Sequence, residues 1–198
     1  MYKRIKKDSK WSIIDQGQFK IDGILNEILG YTDEWFLDLS RQALGAVHTQ
    51  TQMYRICETD YAWAPGTPIE TFYRNDLKTH TAQEELSNIF KYLEDFYSGT
   101  VIRCEIIKLL PNSEVLKHTD GGALLHYSRR VHIPILTNKK ITFTVMNNTV
   151  HMEKGRWYEI NNQMPHSVSN PTDQERIHII IDILPDEMLQ LTHKEQQL

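Results

Sequence analysis

The chain has 198 residues, which fits one domain built on a single core rather than two. Its composition, 40% hydrophobic and 24% charged with only 9 Gly and 7 Pro, excludes collagen-like and disordered classes. Twenty-two basic against 26 acidic residues leave a formal charge of −4, and no basic stripe compensates, which excludes a sequence-independent nucleic-acid binder.

Residues 1–20 are polar and mixed, and open on the cationic run Lys3-Arg4-Ile5-Lys6-Lys7, which reads as a solvated tail. That start lacks the apolar run of a signal peptide, and no stretch of ~18 apolar residues follows. Cys57 and Cys104 are isolated and form no CxxC motif, as suits a reducing compartment. A cytoplasmic protein without membrane contact is therefore expected. Two short helices are predicted over Gly23–Leu29 and Asp33–Leu44, the second capped by Thr32 or Asp33 with Trp35, Phe36, Leu39 and Leu44 as its apolar stripe. A stronger helix follows Thr81-Ala82-Gln83-Glu84, which has the form of a capping box; Leu86, Ile89, Phe90, Leu93 and Phe96 recur at helical spacing, and Gly99 is placed to end it. Between these helices His48–His80 is aromatic, polar and broken by Ala64-Pro65-Gly66-Thr67-Pro68. It reads as an edge strand plus a loop, a natural location for substrate contacts.

From Val101 the period becomes that of strands. Val101–Leu109, Arg130–Leu136, Ile141–Met146, Val150–Met152, Trp157–Ile160, His166–Ser169 and Arg176–Leu184 are short β-branched or alternating runs separated by turn residues such as Asn147-Asn148 and Lys154-Gly155. Short strands at this spacing predict a sandwich or small jelly-roll barrel.

Six of the nine histidines lie between positions 118 and 178, where an even spread gives about three. The sharpest local pattern is His118-Thr119-Asp120. On an extended backbone residues i and i+2 share a face, so this imidazole and carboxylate can bind one metal ion. His166, which follows Met164-Pro165, is the best candidate for a third ligand from another strand. Two histidines and one carboxylate form a facial triad that leaves positions open on Fe(II) for a bidentate cosubstrate and O2. Arg176 opens the apolar run Ile177–Leu184, where a guanidinium is costly to bury unpaired. Its partner is either a small dicarboxylate, matched by the planar guanidinium fork, or a protein carboxylate such as Glu105 or Asp182.

Ile107-Lys108-Leu109-Leu110-Pro111 leading to His118-Thr119-Asp120, then Arg130-Val131-His132-Ile133-Pro134-Ile135, Glu153-Lys154-Gly155-Arg156-Trp157, His166-Ser167-Val168-Ser169-Asn170 and Arg176-Ile177-His178 follow one another in a characteristic order. Over Ile102–Pro185 the chain resembles the aspartyl/asparaginyl β-hydroxylase family of 2-oxoglutarate and Fe(II) dependent dioxygenases, which includes small free-amino-acid hydroxylases. The resemblance implies an α+β, mainly β fold, a double-stranded β-helix (jelly-roll, cupin-like) barrel with helices from the N-terminal half packed on it. It implies one dioxygenase domain over residues 1–198, with a helical part at 20–99 and a barrel core at 100–185. It also implies iron on His118, Asp120 and His166, 2-oxoglutarate gripped by Arg176, and Arg130 and His132 helping to hold that cosubstrate. His178 shares the face of Arg176, whereas His126 and His151 are expected in loops. Some family members lack the metal-binding carboxylate; Asp120 is present here and favours hydroxylation over halogenation, since a halide needs the position that Asp120 fills. The serine that helps hold the cosubstrate in some members has no match near Ile107.

The resulting expectation is an enzyme that uses Fe(II), 2-oxoglutarate and O2 to hydroxylate an unactivated C–H bond, releasing succinate and CO2. The substrate is a small molecule or peptide: an Asp/Asn residue in a polypeptide, or a free amino acid such as proline. The alternative is a non-catalytic cupin-like barrel that binds a metal or a carboxylate, with zinc suited to the same ligand types.

Overall fold

The computed structural model describes residues 12–189 apart from Leu37 and Gly45, so the basic run at positions 3–7 lies outside the described residues. Among the described residues eleven strands form two antiparallel sheets. The larger contains β1 (Ile13–Gln18), β2 (Thr51–Thr59), β3 (Thr71–Tyr73), β4 (Gly99–Leu109), β6 (Arg129–Leu136), β9 (Arg156–Ile160) and β11 (Arg176–Pro185), in the order β1-β9-β6-β11-β4-β2-β3. The smaller contains β5 (Ser113–His118), β7 (Thr142–Val145), β8 (Asn148–Val150) and β10 (His166–Asn170), in the order β5-β10-β7-β8. Leu109, Tyr158 and Ile160 from the first sheet meet Val115, Phe143, Val145 and Val168 from the second in one buried cluster, so the sheets close face to face as a barrel.

The alternation along β11 shows how the sequence directs this arrangement. Ile177, Ile179, Ile181 and Ile183 join the core beneath the helices, while Arg176, His178, Ile180 and Asp182 occupy the alternate positions and face the barrel interior. Helix α2 (His80–Tyr97) covers the outer face with Ala82, Leu86, Ile89, Leu93 and Tyr97, and α1 (Asp22–Ile28) packs Ile24 and Ile28 into the same core. No side chain of its own caps α1; the buried Glu85 of α2 accepts a hydrogen bond from the Ile24 amide at 3.0 Å instead. Trp157 stands at the centre of an aromatic cluster, edge-on to Phe96 with ring centres 5.2 Å apart and stacked on Phe19 at 5.8 Å.

Several local expectations need correction. The long helix begins at His80 with Thr79 as its cap, its hydroxyl accepting from the Ala82 amide at 3.4 Å, so the Thr81 box lies inside the first turn. Its left-handed terminal residue is Ser98, at φ 46°, and Gly99 is instead the first residue of β4. There a Cβ would collide with the backbone of Leu184 on the paired strand. The predicted helix over Asp33–Leu44 exists only as separate 3-10 turns at Asp33–Phe36 and Gln42–Leu44, with Trp35 buried and Leu39 exposed. The 20–99 segment is not purely helical, because β2 is an inner strand of the larger sheet and only β3 is its edge. Residues 13–18 add a further strand beside β9, since Ile13 and Ile14 pair with Ile160 and Glu159. Cys57 and Cys104 face each other across β2 and β4 as buried free thiols, and burial pushes the Cys57 thiol up to about 12.

Candidate metal centre and cosubstrate pocket

Pairing of β5 with β10 sets His118 directly opposite His166 in the antiparallel register. Their ring centres lie 4.3 Å apart, and Phe143 lies parallel to His166 at 6.1 Å. Asp120 follows β5 and is anchored by its amide, which donates to the Asn162 carbonyl at 3.2 Å. Two residues on, Gly122 adopts φ +91°, a conformation L side chains resist, and leads the chain into α3 (Ala123–Tyr127). The three side chains converge so that one ligand atom from each lies within 4.8 Å of the others. Nε2 of His118 is 3.7 Å from Oδ1 of Asp120, and Nε2 of His166 is 3.7 Å from Oδ2.

The backbone selects the tautomer of both rings. Nδ1 of His118 donates to the Leu116 carbonyl at 2.8 Å and Nδ1 of His166 to that of Met164 at 2.9 Å, leaving each Nε2 lone pair aimed into the centre. Burial lowers the pKa of His118 and brings that of His166 down to about 4, so both imidazoles are neutral at physiological pH. Neutral imidazole nitrogens and one carboxylate on one side of a cavity fit a divalent iron with open coordination positions.

Three strands place Arg103, Asp182 and Arg130 in one row across the interior, because Asp182 pairs in register with Arg103 on β4 and with Arg130 on β6. Asp182 is fully buried and binds Arg130 through two hydrogen bonds, of 2.9 and 3.0 Å, and Arg103 through Nε at 2.6 Å. The third nitrogen of Arg130 donates to Asp120. Arg130 is thus committed to two carboxylates, Asp182 and Asp120, while it also lines the cavity beside them.

The other candidate cosubstrate residues occupy a separate position. Arg176 and His132 are 3% and 4% exposed. Arg176 donates to Nδ1 of His178 at 2.6 Å, but its Nε has no hydrogen-bond partner, and neither Glu105 nor Asp182 pairs with it among the described residues. Both ring nitrogens of His132 also lack partners. The His132 ring lies 5.9 Å from that of His178. Burial, with the field of Arg41 added, lowers the Arg176 guanidinium to about 9, and burial followed by the charge of Arg176 keeps His132 well below the usual imidazole range. Unpaired buried donors of this kind are costly, and a small dicarboxylate would satisfy them.

A cavity of about 560 Å³ opens in front of the triad. His118, Thr119, Asp120 and Gly121 form one wall; Ser40, Arg41, Val47, His48, Arg55, Tyr61, Arg103, Glu105, Leu125 and Arg130 line the rest. Sequence reasoning misses Arg41, His48 and Arg103 as site residues and offers Asp182 only as a partner for Arg176. Arg103 and Asp182 carry a readable signal, charged residues inside strands that otherwise read as core, but Arg41 and His48 come from irregular chain with no periodicity. Tyr61, from the aromatic segment expected to touch substrate, stands over Arg103 with its hydroxyl 3.1 Å from that guanidinium, whereas Trp63 is buried against Tyr127. His126 falls in α3 rather than a loop and bonds Gln163 at 2.9 Å; His151 follows β8 and bonds the Ile141 carbonyl at 3.2 Å.

The chain is similar in fold to the non-heme monooxygenase ThoJ in a nickel complex, with 11% identity over 88% of this chain and 74% of that one and a TM-score of 0.51. An oxidoreductase of the 2OG-Fe(II) oxygenase family from Burkholderia pseudomallei shows 14% identity over 68% of this chain, which spans 66% of that chain's length, with a TM-score of 0.47. A cupin domain from Bordetella pertussis shows 21% identity over 42% of this chain and 81% of that one, with a TM-score of 0.34. Among the described residues no helix is long and apolar enough to cross a membrane. Residues 36–185, which include His118, Asp120, His166, His132 and Arg176, match the Aspartyl/Asparaginyl beta-hydroxylase family, and the chain belongs to that family of hydroxylases.

Proposed function

We propose that this chain is a 2-oxoglutarate and Fe(II) dependent dioxygenase that hydroxylates an unactivated C–H bond of an amino-acid unit and releases succinate and CO2. The observation that carries the reading is the pairing of two features: a triad whose imidazole nitrogens are fixed toward one point, and a buried arginine that no carboxylate of the described chain neutralises. His118, Asp120 and His166 would hold the iron, which when bound supplies the redox chemistry with O2. Arg176 would take the distal carboxylate of 2-oxoglutarate, and His132 would offer a ring N–H beside it. Arg130 steadies the Asp120 carboxylate by donating to its Oδ2. Phe143, Val145 and Val168 are buried in the apolar cluster between the two sheets, an environment of low dielectric that strengthens charged contacts beside it.

The test is an anaerobic Fe(II) titration with and without 2-oxoglutarate, read by the visible metal-to-ligand charge-transfer band, followed by admission of O2 and assay of succinate. The band together with succinate is the expected result. Neither signal in folded, iron-loaded protein would overturn the reading and favour a non-catalytic metal-binding barrel. A panel of free amino acids and peptides, scored by mass for one added oxygen, then separates the substrate types.

A further inference from the structure

The cavity in front of the triad contains four arginines, and three of them are already engaged. Arg103 and Arg130 close on Asp182, with Arg130 also on Asp120. Arg55 donates to Glu58 at 2.6 Å and stands 3.3 Å from Asp38. Arg41 differs. Its one ion-pair partner among the described residues is Glu105 at 3.6 Å, beyond hydrogen-bond reach, and Glu105 is shared with Arg55 at 3.4 Å and Arg103 at 4.0 Å. One carboxylate therefore faces three guanidiniums, and Nε of Arg41 is buried without any partner. Close by, His48 is buried edge-on to His118, with ring centres 5.0 Å apart, and its Nδ1 is also unpartnered. Both residues come from the irregular segment between α1 and β2, whose turn at Ala46–His48 packs on β5 at the edge of the metal centre.

We infer that Arg41, assisted by the Nδ1 hydrogen of His48, is the substrate's carboxylate grip, so the enzyme takes a small carboxylate-bearing amino-acid unit and holds it beside the triad. The planar guanidinium fork fits a carboxylate through two parallel hydrogen bonds. This inference names the substrate class for the dioxygenase proposed above and rests on that reading. The carboxylate has two sources, the α-carboxylate of a free amino acid and the side chain of an Asp within a peptide.

The experiment uses protein given Fe(II) and 2-oxoglutarate without oxygen, as wild type, Arg41→Gln and Arg41→Lys, with folding checked by thermal unfolding. Each is titrated calorimetrically with free L-amino acids, their α-carboxamides, capped peptides containing Asp, and the same peptides containing Asn, while the charge-transfer band is recorded. At least one carboxylate probe is expected to bind, its amide isostere about 10-fold or more weakly, as loss of a charged hydrogen bond implies. Arg41→Gln is expected to remove that discrimination by lowering carboxylate affinity about 10–100-fold, and Arg41→Lys to restore part of it. Free amino acids or Asp peptides that bind identify the source of the carboxylate. Equal binding of acid and amide, unchanged discrimination in Arg41→Gln, or silence of every carboxylate probe overturns the inference. Absence of the band with discrimination intact retires the dioxygenase reading and leaves the carboxylate grip standing.

Discussion

Arg130 ties Asp120, the carboxylate of the candidate triad, to the barrel wall: the same guanidinium that donates to Asp120 is clamped by two hydrogen bonds to the fully buried Asp182. The position of the carboxylate is thereby set by the register of β6 on β11 rather than by the loop that carries it. Outer contacts of this kind typically change metal affinity 10–100-fold when removed. Arg130→Gln is accordingly expected to weaken Fe(II) binding by about 10–100-fold. It also removes one cationic partner of the buried Asp182, so denaturant unfolding should show a loss smaller than the ~3–5 kcal/mol of a buried charge left unpaired, because Arg103 still binds it. An unaltered Fe(II) affinity in a folded Arg130→Gln protein would show that Asp120 does not depend on this anchor.

Asp120→Ala removes the one carboxylate of the triad and should abolish or strongly reduce hydroxylation, along with iron retention on dialysis. Undiminished product formation would contradict its assignment as a ligand.

Arg176 is the opposite energetic case to Arg130, since it is a buried charge without a carboxylate. Removing it should raise the 2-oxoglutarate concentration needed for the charge-transfer band about tenfold or more, because a charge-assisted bidentate contact is lost. The metal-binding isotherm should stay in place. Thermal unfolding of cofactor-free Arg176→Met should occur at or above the wild-type temperature, since an unpaired buried charge is replaced by an apolar chain of similar length. A requirement for 2-oxoglutarate that does not change would place the cosubstrate elsewhere.

His132 and His178 are buried neutral, and burial, reinforced by the charge of Arg176, lowers both pKa values well below the ordinary imidazole value. In the unfolded chain they titrate near 6.5. The unfolded state therefore binds more protons as pH falls below ~6.5, and each of these groups costs the fold up to about 1.4 kcal/mol per pH unit below that point. Their stabilising effect is fully present above that pH and is lost toward acid. Urea midpoints measured from pH 7.5 down to 4.5 should fall, and His132→Phe should make the slope shallower by one proton. A flat profile would show that the rings are protonated in the fold.

Gly99→Ala tests the tight crossing of β4 and β11. The added methyl would meet the Leu184 backbone, which cannot rotate aside as a flexible side chain could, and overpacking of this kind costs about 1–3 kcal/mol. Chemical denaturation of the variant measures it; a cost near zero would show that the strand ends separate freely.

Local sequence determined the strand-rich half and much of the candidate metal centre. The Ile177–Leu184 alternation could satisfy both its apolar and its polar positions only as a strand between a helix-covered face and a barrel interior. His118 and Asp120 could be read as ligands because spacing by two on extended chain is a local property, and Arg176 because a charge inside an apolar run needs a partner. Tertiary structure decided the rest. Register alone brings His166 opposite His118 and sets Asp182 between Arg103 and Arg130, and it joins Arg130 to Asp120, a pairing that its place in the sequence does not reveal. Arg41 and His48 reach the cavity on irregular turns whose course depends on packing against β5, so no periodicity marks them. Ligand types were legible from short-range geometry, whereas the pairing of charges was not. Whether a buried arginine is saturated or left open depends on neighbours that lie many residues away in sequence, and only the closed barrel brings those neighbours together.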